Sequence, residues 1–159
     1  MENSVQVILW RHADAESEAP SDHARRLTEK GREQALRMAS WLTGRLGGDL
    51  TGWRVLSSPA VRAQQTALSL SSQIETVDSI APDAPASAVL AAIGWPELGA
   101  STIIVGHQPT LGMVAARFLN GVDGYVSIKK GAMWWFEVRE RGGKRETILR
   151  AMTTPESVI

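Results

Sequence analysis

The sequence has 159 residues and a mass of 17.2 kDa, with 17 acidic and 17 basic residues. This length suits one domain with its own hydrophobic core, so we expect a single domain over residues 1–159. The balanced charge gives no reason to expect a nucleic-acid partner, and the lack of cysteine excludes disulfides, thiol nucleophiles and thiolate zinc sites. The first apolar run, Val5–Trp10, is too short for a signal sequence or a membrane span, so we expect a cytoplasmic protein without membrane contact.

Strands and helices are predicted to alternate along most of the chain. Short runs at 5–10, 53–57 and 102–105 predict strands, and the first of them is mostly apolar with several β-branched residues. Each is followed by a predicted helix: one from a Thr28 cap to Gly47-Gly48, one from a Ser58-Pro59 start to about Ser72, and one from Pro109 to about Leu119. This alternation is typical of a parallel sheet covered by helices on both faces.

The C-terminal part of the chain has a different pattern. Ala132–Val138 and Thr147–Met152 read as strands joined by a segment that contains Gly142-Gly143, which predicts a hairpin at the sheet edge. Ala88–Ile93 predicts one short helix before the third strand. We therefore expect an α/β fold, a three-layer αβα sandwich with a mostly parallel central sheet and an antiparallel C-terminal edge hairpin.

Cationic and imidazole side chains follow the three predicted parallel strands. Arg11 and His12 end the first strand, Arg62 lies in the first turn after the second, and His107 follows the third. Because ligands bind beyond the carboxyl ends of parallel strands, we expect these four groups to converge. Two guanidiniums beside a helix N-terminus favour a phosphate or sulfate ion.

The two histidines suggest chemistry on that phosphate. The chain has no cysteine and no G-x-S-x-G sequence, so a histidine is the candidate nucleophile, and we choose His12. Nearby arginines should lower its pKa and keep the ring neutral at pH 7. His107, if protonated or donating from a ring N–H, would stabilise charge on the transferring phosphoryl group.

Four ordered segments resemble the histidine phosphatase superfamily, and within it the short SixA-type phosphohistidine phosphatases. They are Arg11-His12-Ala13-Asp14-Ala15, similar to the RHG/RHA signature; residues 27–35, similar to LTxxGxxQA; residues 57–66, similar to SSPxxRAxQT; and Val105-Gly106-His107-Gln108-Pro109. The resemblance implies a phosphoglycerate mutase-like fold and a phosphorylated His12 in a pocket formed by Arg11, Arg62 and His107. We expect no cofactor or metal.

The sequence departs from the wider superfamily at two places. Ala13 stands where many members have glycine, so the backbone there should not adopt positive φ. The glutamate general acid of larger members has no counterpart, since the corresponding segment offers only Glu75, Asp78 and Asp83. A phosphohistidine releases imidazole, a better leaving group than an alkoxide, so the missing acid favours a P–N substrate.

Several other residues have two possible roles. Asp14 either stabilises the turn after the nucleophile or contacts the substrate as an orienting group or acid, and Asp83 is a weaker candidate acid. Lys129 and its neighbour Lys130 form a charged turn or contact the phosphate.

The remaining charged groups near the motifs are assigned by their context. His23 is expected to be a solvated loop residue, while Arg25 or Arg26 could border the pocket. A metal site at His12, His107 and Asp14 is disfavoured by the adjacent arginines.

Three functions remain open at this point. The first is hydrolysis of phosphohistidine on a protein, for which the resemblance suggests a histidine phosphotransfer domain of a two-component relay or a sugar phosphotransferase component. The second is hydrolysis of small phosphorylated molecules, namely phosphomonoesters, nucleotides or polyphosphate. The third is a non-catalytic module that binds a phosphorylated ligand. A monomer is expected, because the site needs nothing from a second subunit.

Overall fold

A mixed six-stranded sheet forms the centre of the computed structural model, which describes residues 3–97 and 99–158. The strands are β1 (Asn3–Arg11), β2 (Trp53–Ser57), β3 (Glu75–Thr76), β4 (Ser101–Gly106), β5 (Met133–Arg141) and β6 (Lys144–Thr153). They lie in the order β3-β2-β4-β1-β5-β6. The first four strands in this order are parallel, and β5 and β6 add an antiparallel hairpin at the edge, as predicted.

Within the described residues, four α-helices cover the two faces of the sheet. They are α1 (Glu29–Arg45), α2 (Val61–Leu68), α3 (Ala86–Ile93) and α4 (Thr110–Asn120). Two short 3₁₀ turns complete the described elements, at Asp78–Ile80 and Pro155–Ser157. The helices α1 and α2 pack on one face and α3 and α4 on the other, which confirms the three-layer αβα sandwich. None of the helices in the described ranges is long and apolar enough to cross a membrane.

Alternating side chains of the central strands contribute to two separate hydrophobic cores. In β1, Ile8 and Trp10 point toward α1 and α2, while Val7 and Leu9 point toward α3 and α4. All four are fully buried, as expected for a strand in the middle of a covered sheet. The adjacent Trp134 and Trp135 likewise lie on opposite faces of β5, as their neighbouring positions in a strand require.

The first helix begins and ends where its sequence signals predict. The Thr28 hydroxyl accepts a hydrogen bond from the Gly31 amide, and Gly47 and Gly48 adopt positive φ after Leu46. A Cβ at Gly31 would collide with the carbonyl oxygen of Asp14, so glycine permits α1 to pack directly on the backbone after β1. The helix therefore supports the loop that follows the first strand.

The second helix is shorter than its sequence predicts. It begins at Val61 rather than at Pro59, because Ser58 still continues the sheet, its amide donating to the carbonyl of Val105 at 3.0 Å. It ends at Leu68 rather than near Ser72, where the Ser69 hydroxyl donates to the Thr66 carbonyl at 2.6 Å and competes with helical hydrogen bonds.

The edge hairpin is longer and tighter than predicted. Its strands continue to Arg141 and resume at Lys144, so the connection is a two-residue turn rather than a loop over 139–146. Gly142 and Gly143 have φ of 58° and 78°, the positive values that such hairpin turns require.

Candidate active site

A cavity of about 250 Å³ opens at the carboxyl ends of β1, β2 and β4. The three strands are hydrogen-bonded neighbours, and the His12 amide donates to the Gly106 carbonyl at 3.1 Å, so their ends are held together. The cavity is lined by Arg11, His12, Asp22, Arg25, Arg62, Pro82, Asp83, His107, Gln108 and Lys130. The four groups expected to converge from the sequence are therefore in one place.

His12 lies immediately after β1 and is only 5% exposed. Its Nδ1 is 2.8 Å from the carbonyl oxygen of Ala13. A carbonyl oxygen can only accept, so Nδ1 carries the ring proton and Nε2 of the neutral ring keeps its lone pair. Ala13 does not adopt positive φ, in agreement with the ordinary backbone conformation expected there.

Burial controls the protonation of His12. Desolvation is the largest effect and lowers its pKa from 6.5 to about 4, with the cations of Arg62, Arg11 and Arg25 adding to the shift. The hydrogen bond to Ala13 acts in the opposite direction but does not outweigh them. The ring is therefore neutral near pH 7, as predicted, but burial lowers its pKa more than the arginines on which the prediction rested.

His107 faces His12 with 5.2 Å between the ring centroids. Its Nε2 is hydrogen-bonded to the Ser58 hydroxyl at 2.7 Å, and its buried Nδ1 has no partner among the described residues. Burial, followed by the adjacent His12, lowers its pKa to about 3. Of the two modes expected for His107, donation from the N–H of a neutral ring therefore fits the free protein, and a protonated ring does not.

The two arginines bring desolvated positive charge to the cavity. Arg62, in the first turn of α2, is 4% exposed and donates to the carbonyl and carboxylate oxygens of Asp22 at 2.8 and 3.1 Å. Arg11 donates to the Ile128 carbonyl at 2.8 Å, and burial lowers its pKa. The Nε atoms of both guanidiniums are buried without a partner in the described chain. A buried and a partly buried cation, each with an unpaired donor, favour an anionic ligand.

Asp22 was not among the sequence candidates. Its carboxylate binds Arg62 and also Arg25, whose Nη1 donates to it at 3.0 Å. These contacts lower the pKa of Asp22, with the Arg25 bond as the largest cause. The side chain is 59% exposed, so it sits at the mouth of the cavity. No motif around Asp22 distinguishes it from a solvated loop residue.

Asp14 and Lys129, two predicted substrate contacts, lie outside the cavity lining. Asp14 accepts hydrogen bonds from Thr28 at 2.8 Å and Lys130 at 3.2 Å, which is the turn-stabilising alternative, and the Thr28 bond is the main cause of its lowered pKa. Lys129 is exposed, and the neighbouring Lys130 lines the cavity in its place.

The other residues with two readings are also placed by the structure. Arg25 borders the cavity, whereas His23 and Arg26 are exposed and do not line it. Asp83 is at the rim with a φ of 69°, while Glu75 is paired with Arg54 by two hydrogen bonds of 3.0 Å. Within residues 3–97 and 99–158, no three His, Asp or Glu side chains are grouped so as to hold a metal ion.

The fold and this cavity define an α/β protein whose positively charged pocket is suited to an anion and contains two neutral histidines. The model of the histidine phosphatase superfamily (branch 1) matches residues 7–83. The phosphohistidine phosphatase SixA of Escherichia coli (strain K12) is 35% identical over 126 residues, covering 74% of this chain and 76% of the relative. The chain belongs to the histidine phosphatase superfamily.

Two further comparisons cover almost the whole chain. The SixA homolog of Haemophilus influenzae is 29% identical over 166 residues, 95% of this chain and 97% of the homolog. The structure of the protein histidine phosphatase SixA complexed with tungstate has a TM-score of 0.77 and 26% identity, covering 95% of this chain and 97% of that one. Both the fold expected from the resemblance and the family are thereby confirmed.

Proposed function

We propose that this protein is a phosphohistidine phosphatase that transfers the phosphoryl group of a protein phosphohistidine to His12 and then to water. The observation that carries this proposal is the state of His12, a neutral ring whose Nδ1–H is held by the Ala13 carbonyl while Nε2 is unprotonated. Such a nitrogen is a competent nucleophile at neutral pH. The names of the relatives in Escherichia coli and Haemophilus influenzae support the same substrate class.

The reaction would proceed in two transfers. In the first, Nε2 of His12 attacks phosphorus, a new P–N bond forms, and the P–N bond of the substrate breaks to release its imidazole, which takes up a proton. In the second, water attacks the phosphoryl group on His12, its proton is lost to solvent, and orthophosphate leaves with His12 neutral again. Arg11, Arg62 and a donor on His107 would stabilise the charge on the phosphoryl oxygens in both steps.

The carboxyl groups of the cavity fit a substrate that needs little acid catalysis. Asp22 and Asp83 are the carboxylates among its described lining residues. The two arginine contacts of Asp22 stabilise its ionised form, so it is a poor proton donor. Asp83 is exposed at the rim and remains the candidate acid. An imidazole leaving group needs less protonation by a general acid than the alkoxide of a phosphomonoester.

The rim of the cavity supports a phosphoryl group delivered from outside. Asp22 and Asp83 line the cavity and are exposed to solvent, so a phosphorylated side chain of another protein can approach from that side. We further propose that the substrate is a phosphorylated protein of a signalling relay, such as a histidine phosphotransfer domain, and that a single-domain monomer acts on it in the cytoplasm. All four groups given roles come from one chain, which supports the monomer.

The proposal is tested by comparing substrates. A histidine-containing protein phosphorylated with phosphoramidate should be hydrolysed with a kcat/KM well above that of p-nitrophenyl phosphate, a sugar phosphate or a nucleotide. The His12→Asn variant should lose this activity, whereas His23→Asn, which changes an exposed loop histidine, should keep it. Preference for a small phosphomonoester would refute the substrate class, and binding without phosphate release would indicate a non-catalytic module.

A further inference from the structure

Ser58 is a fully buried residue whose amide, carbonyl and hydroxyl groups all have hydrogen-bond partners within the protein. Its amide donates to the Val105 carbonyl at 3.0 Å, and its carbonyl accepts from the Gln64 side chain at 2.7 Å. Its hydroxyl accepts the Ala60 amide at 3.2 Å and makes a second, shorter bond of 2.7 Å to Nε2 of His107. The position of this hydroxyl is therefore fixed independently of any ligand.

The hydrogen on this short bond can be assigned by counting donors. An amide only donates, so the Ser58 oxygen accepts from Ala60 and its own O–H needs an acceptor. Among the described residues the hydroxyl has one other partner, Nε2 of His107. If Nε2 donated instead, the Ser58 O–H would be buried without an acceptor, which is costly. The favoured arrangement is Ser58 O–H donating to an unprotonated Nε2.

This arrangement fixes the tautomer of His107. The lowered pKa shows that the ring is neutral near pH 7, so it carries one N–H. With Nε2 accepting, that hydrogen is on Nδ1, the atom that is buried without a partner in the described chain. His107 lines the cationic cavity, and an unpartnered donor on such a residue is suited to an anionic oxygen. The opposite tautomer would offer the anion a lone pair.

We propose that Ser58 is a positioning residue that holds His107 as its Nδ1–H tautomer, so that Nδ1 donates a hydrogen bond to an oxygen of the transferring phosphoryl group. This inference rests on the proposed function of the same site. Both histidines then carry their proton on Nδ1, but the protein forms a hydrogen bond to a different ring nitrogen in each. In His12 the Ala13 carbonyl holds Nδ1–H and leaves a nucleophilic Nε2, while in His107 Ser58 holds Nε2 and leaves a donor at Nδ1.

The tautomer can be measured without turnover. The chain has three histidines, so long-range ¹H–¹⁵N NMR of the imidazoles at pH 7 resolves three rings, assigned with His12→Asn and His23→Asn. We expect Nδ1 of His107 to be the protonated nitrogen in the wild type. In Ser58→Ala the population should shift toward Nε2–H. A wild-type His107 protonated on Nε2 would overturn the proposal even if no Ser58 variant folds.

The catalytic consequence is tested with a matched pair of variants. Ser57 is also fully buried, but its hydroxyl donates to the Ser58 carbonyl and does not contact His107, so Ser57→Ala is the control. We expect Ser58→Ala to lower kcat on the phosphohistidine protein by about tenfold, less than the roughly 100-fold typical of deleting an oxyanion donor, because part of the population keeps the donor. A kcat equal to that of Ser57→Ala would overturn the role.

The proposal and the function on which it rests fail in different ways. An Nδ1–H tautomer together with no phosphate release from any phosphorylated substrate would refute the proposed function and leave the tautomer assignment supported. Phosphate release together with a His107 protonated on Nε2 would support the function and refute the role of Ser58.

Discussion

Replacing His12 by asparagine removes one of two buried imidazoles, and the pH dependence of stability should reveal it. An unfolded histidine has a pKa near 6.5, whereas burial lowers the pKa of His12 to about 4 and that of His107 to about 3. At pH values below 6.5 and above the lowered pKa of each buried ring, the unfolded chain binds protons that the folded chain does not. The free energy of unfolding therefore falls as the pH decreases from 7. The stabilisation is fully present above pH 6.5.

The magnitude follows from the pH interval. Each pH unit over which only the unfolded ring is protonated costs about 1.36 kcal/mol, so lowering the pH from 7 to 5 should cost about 2 kcal/mol per ring and about 4 kcal/mol for both. His12→Asn should lose only about 2 kcal/mol over the same interval. Carboxylates with lowered pKa, such as Asp14 and Asp22, lose their contribution as the pH falls through and below their ordinary value of 3.8, so they contribute little in this window.

Urea unfolding followed by tryptophan fluorescence provides the assay, since Trp10 is fully buried and Trp135 nearly so. The free energy of unfolding is measured from pH 8 to pH 5 for the wild type, His12→Asn and His23→Asn. His23→Asn changes an exposed loop histidine and serves as the control for a histidine replacement outside the cavity. If His12→Asn and the wild type lose the same free energy between pH 7 and pH 5, His12 is not buried as a neutral ring and the reasoning is wrong.

Two other substitutions probe the loop after β1 and the mouth of the cavity. Gly31→Ala should destabilise the protein by about 1–3 kcal/mol, because the new Cβ collides with the Asp14 carbonyl, and should lower the Tm by about 2–12 °C. Gly44→Ala in the same helix meets nothing within 4 Å and should keep or raise the Tm, so equal losses in the two variants would contradict the packing. Asp22→Asn removes a negative charge from Arg62 and should tighten orthophosphate binding about 1.5- to 5-fold by calorimetry, the range set by a partly exposed ion pair, whereas weaker binding would show that the carboxylate assists the anion site.

The fold and the core of the site follow from sequence patterns that act locally. Short apolar runs predict the strands, and the parallel topology then brings their carboxyl ends to one edge, which is why Arg11, His12, Arg62 and His107 are predicted together. The Thr28 cap and the following glycine stop predict the first helix because each signal acts within a few residues. Local chemistry was sufficient for these features.

Contacts between distant parts of the chain explain what the sequence does not reveal. Ser58 and His107 are 49 residues apart, and Ser58-Pro59 reads as a helix start until the bond to His107 is seen. Asp22 and Arg62 are separated by 40 residues, with no local motif to connect them. The lining role of Lys130 rather than Lys129 depends on the direction of the backbone just before Gly131, where φ is 75°.

Isolation of the covalent intermediate tests the central claim most directly. The protein is mixed with a radiolabelled phosphohistidine protein, quenched within milliseconds in base, and digested, and the labelled peptide is sequenced. We predict an acid-labile, base-stable phosphate on Nε2 of His12, present in His23→Asn and absent from His12→Asn. Rapid release of phosphate with no label on the wild-type enzyme, or equal release by His12→Asn, would contradict a phosphoryl transfer through His12.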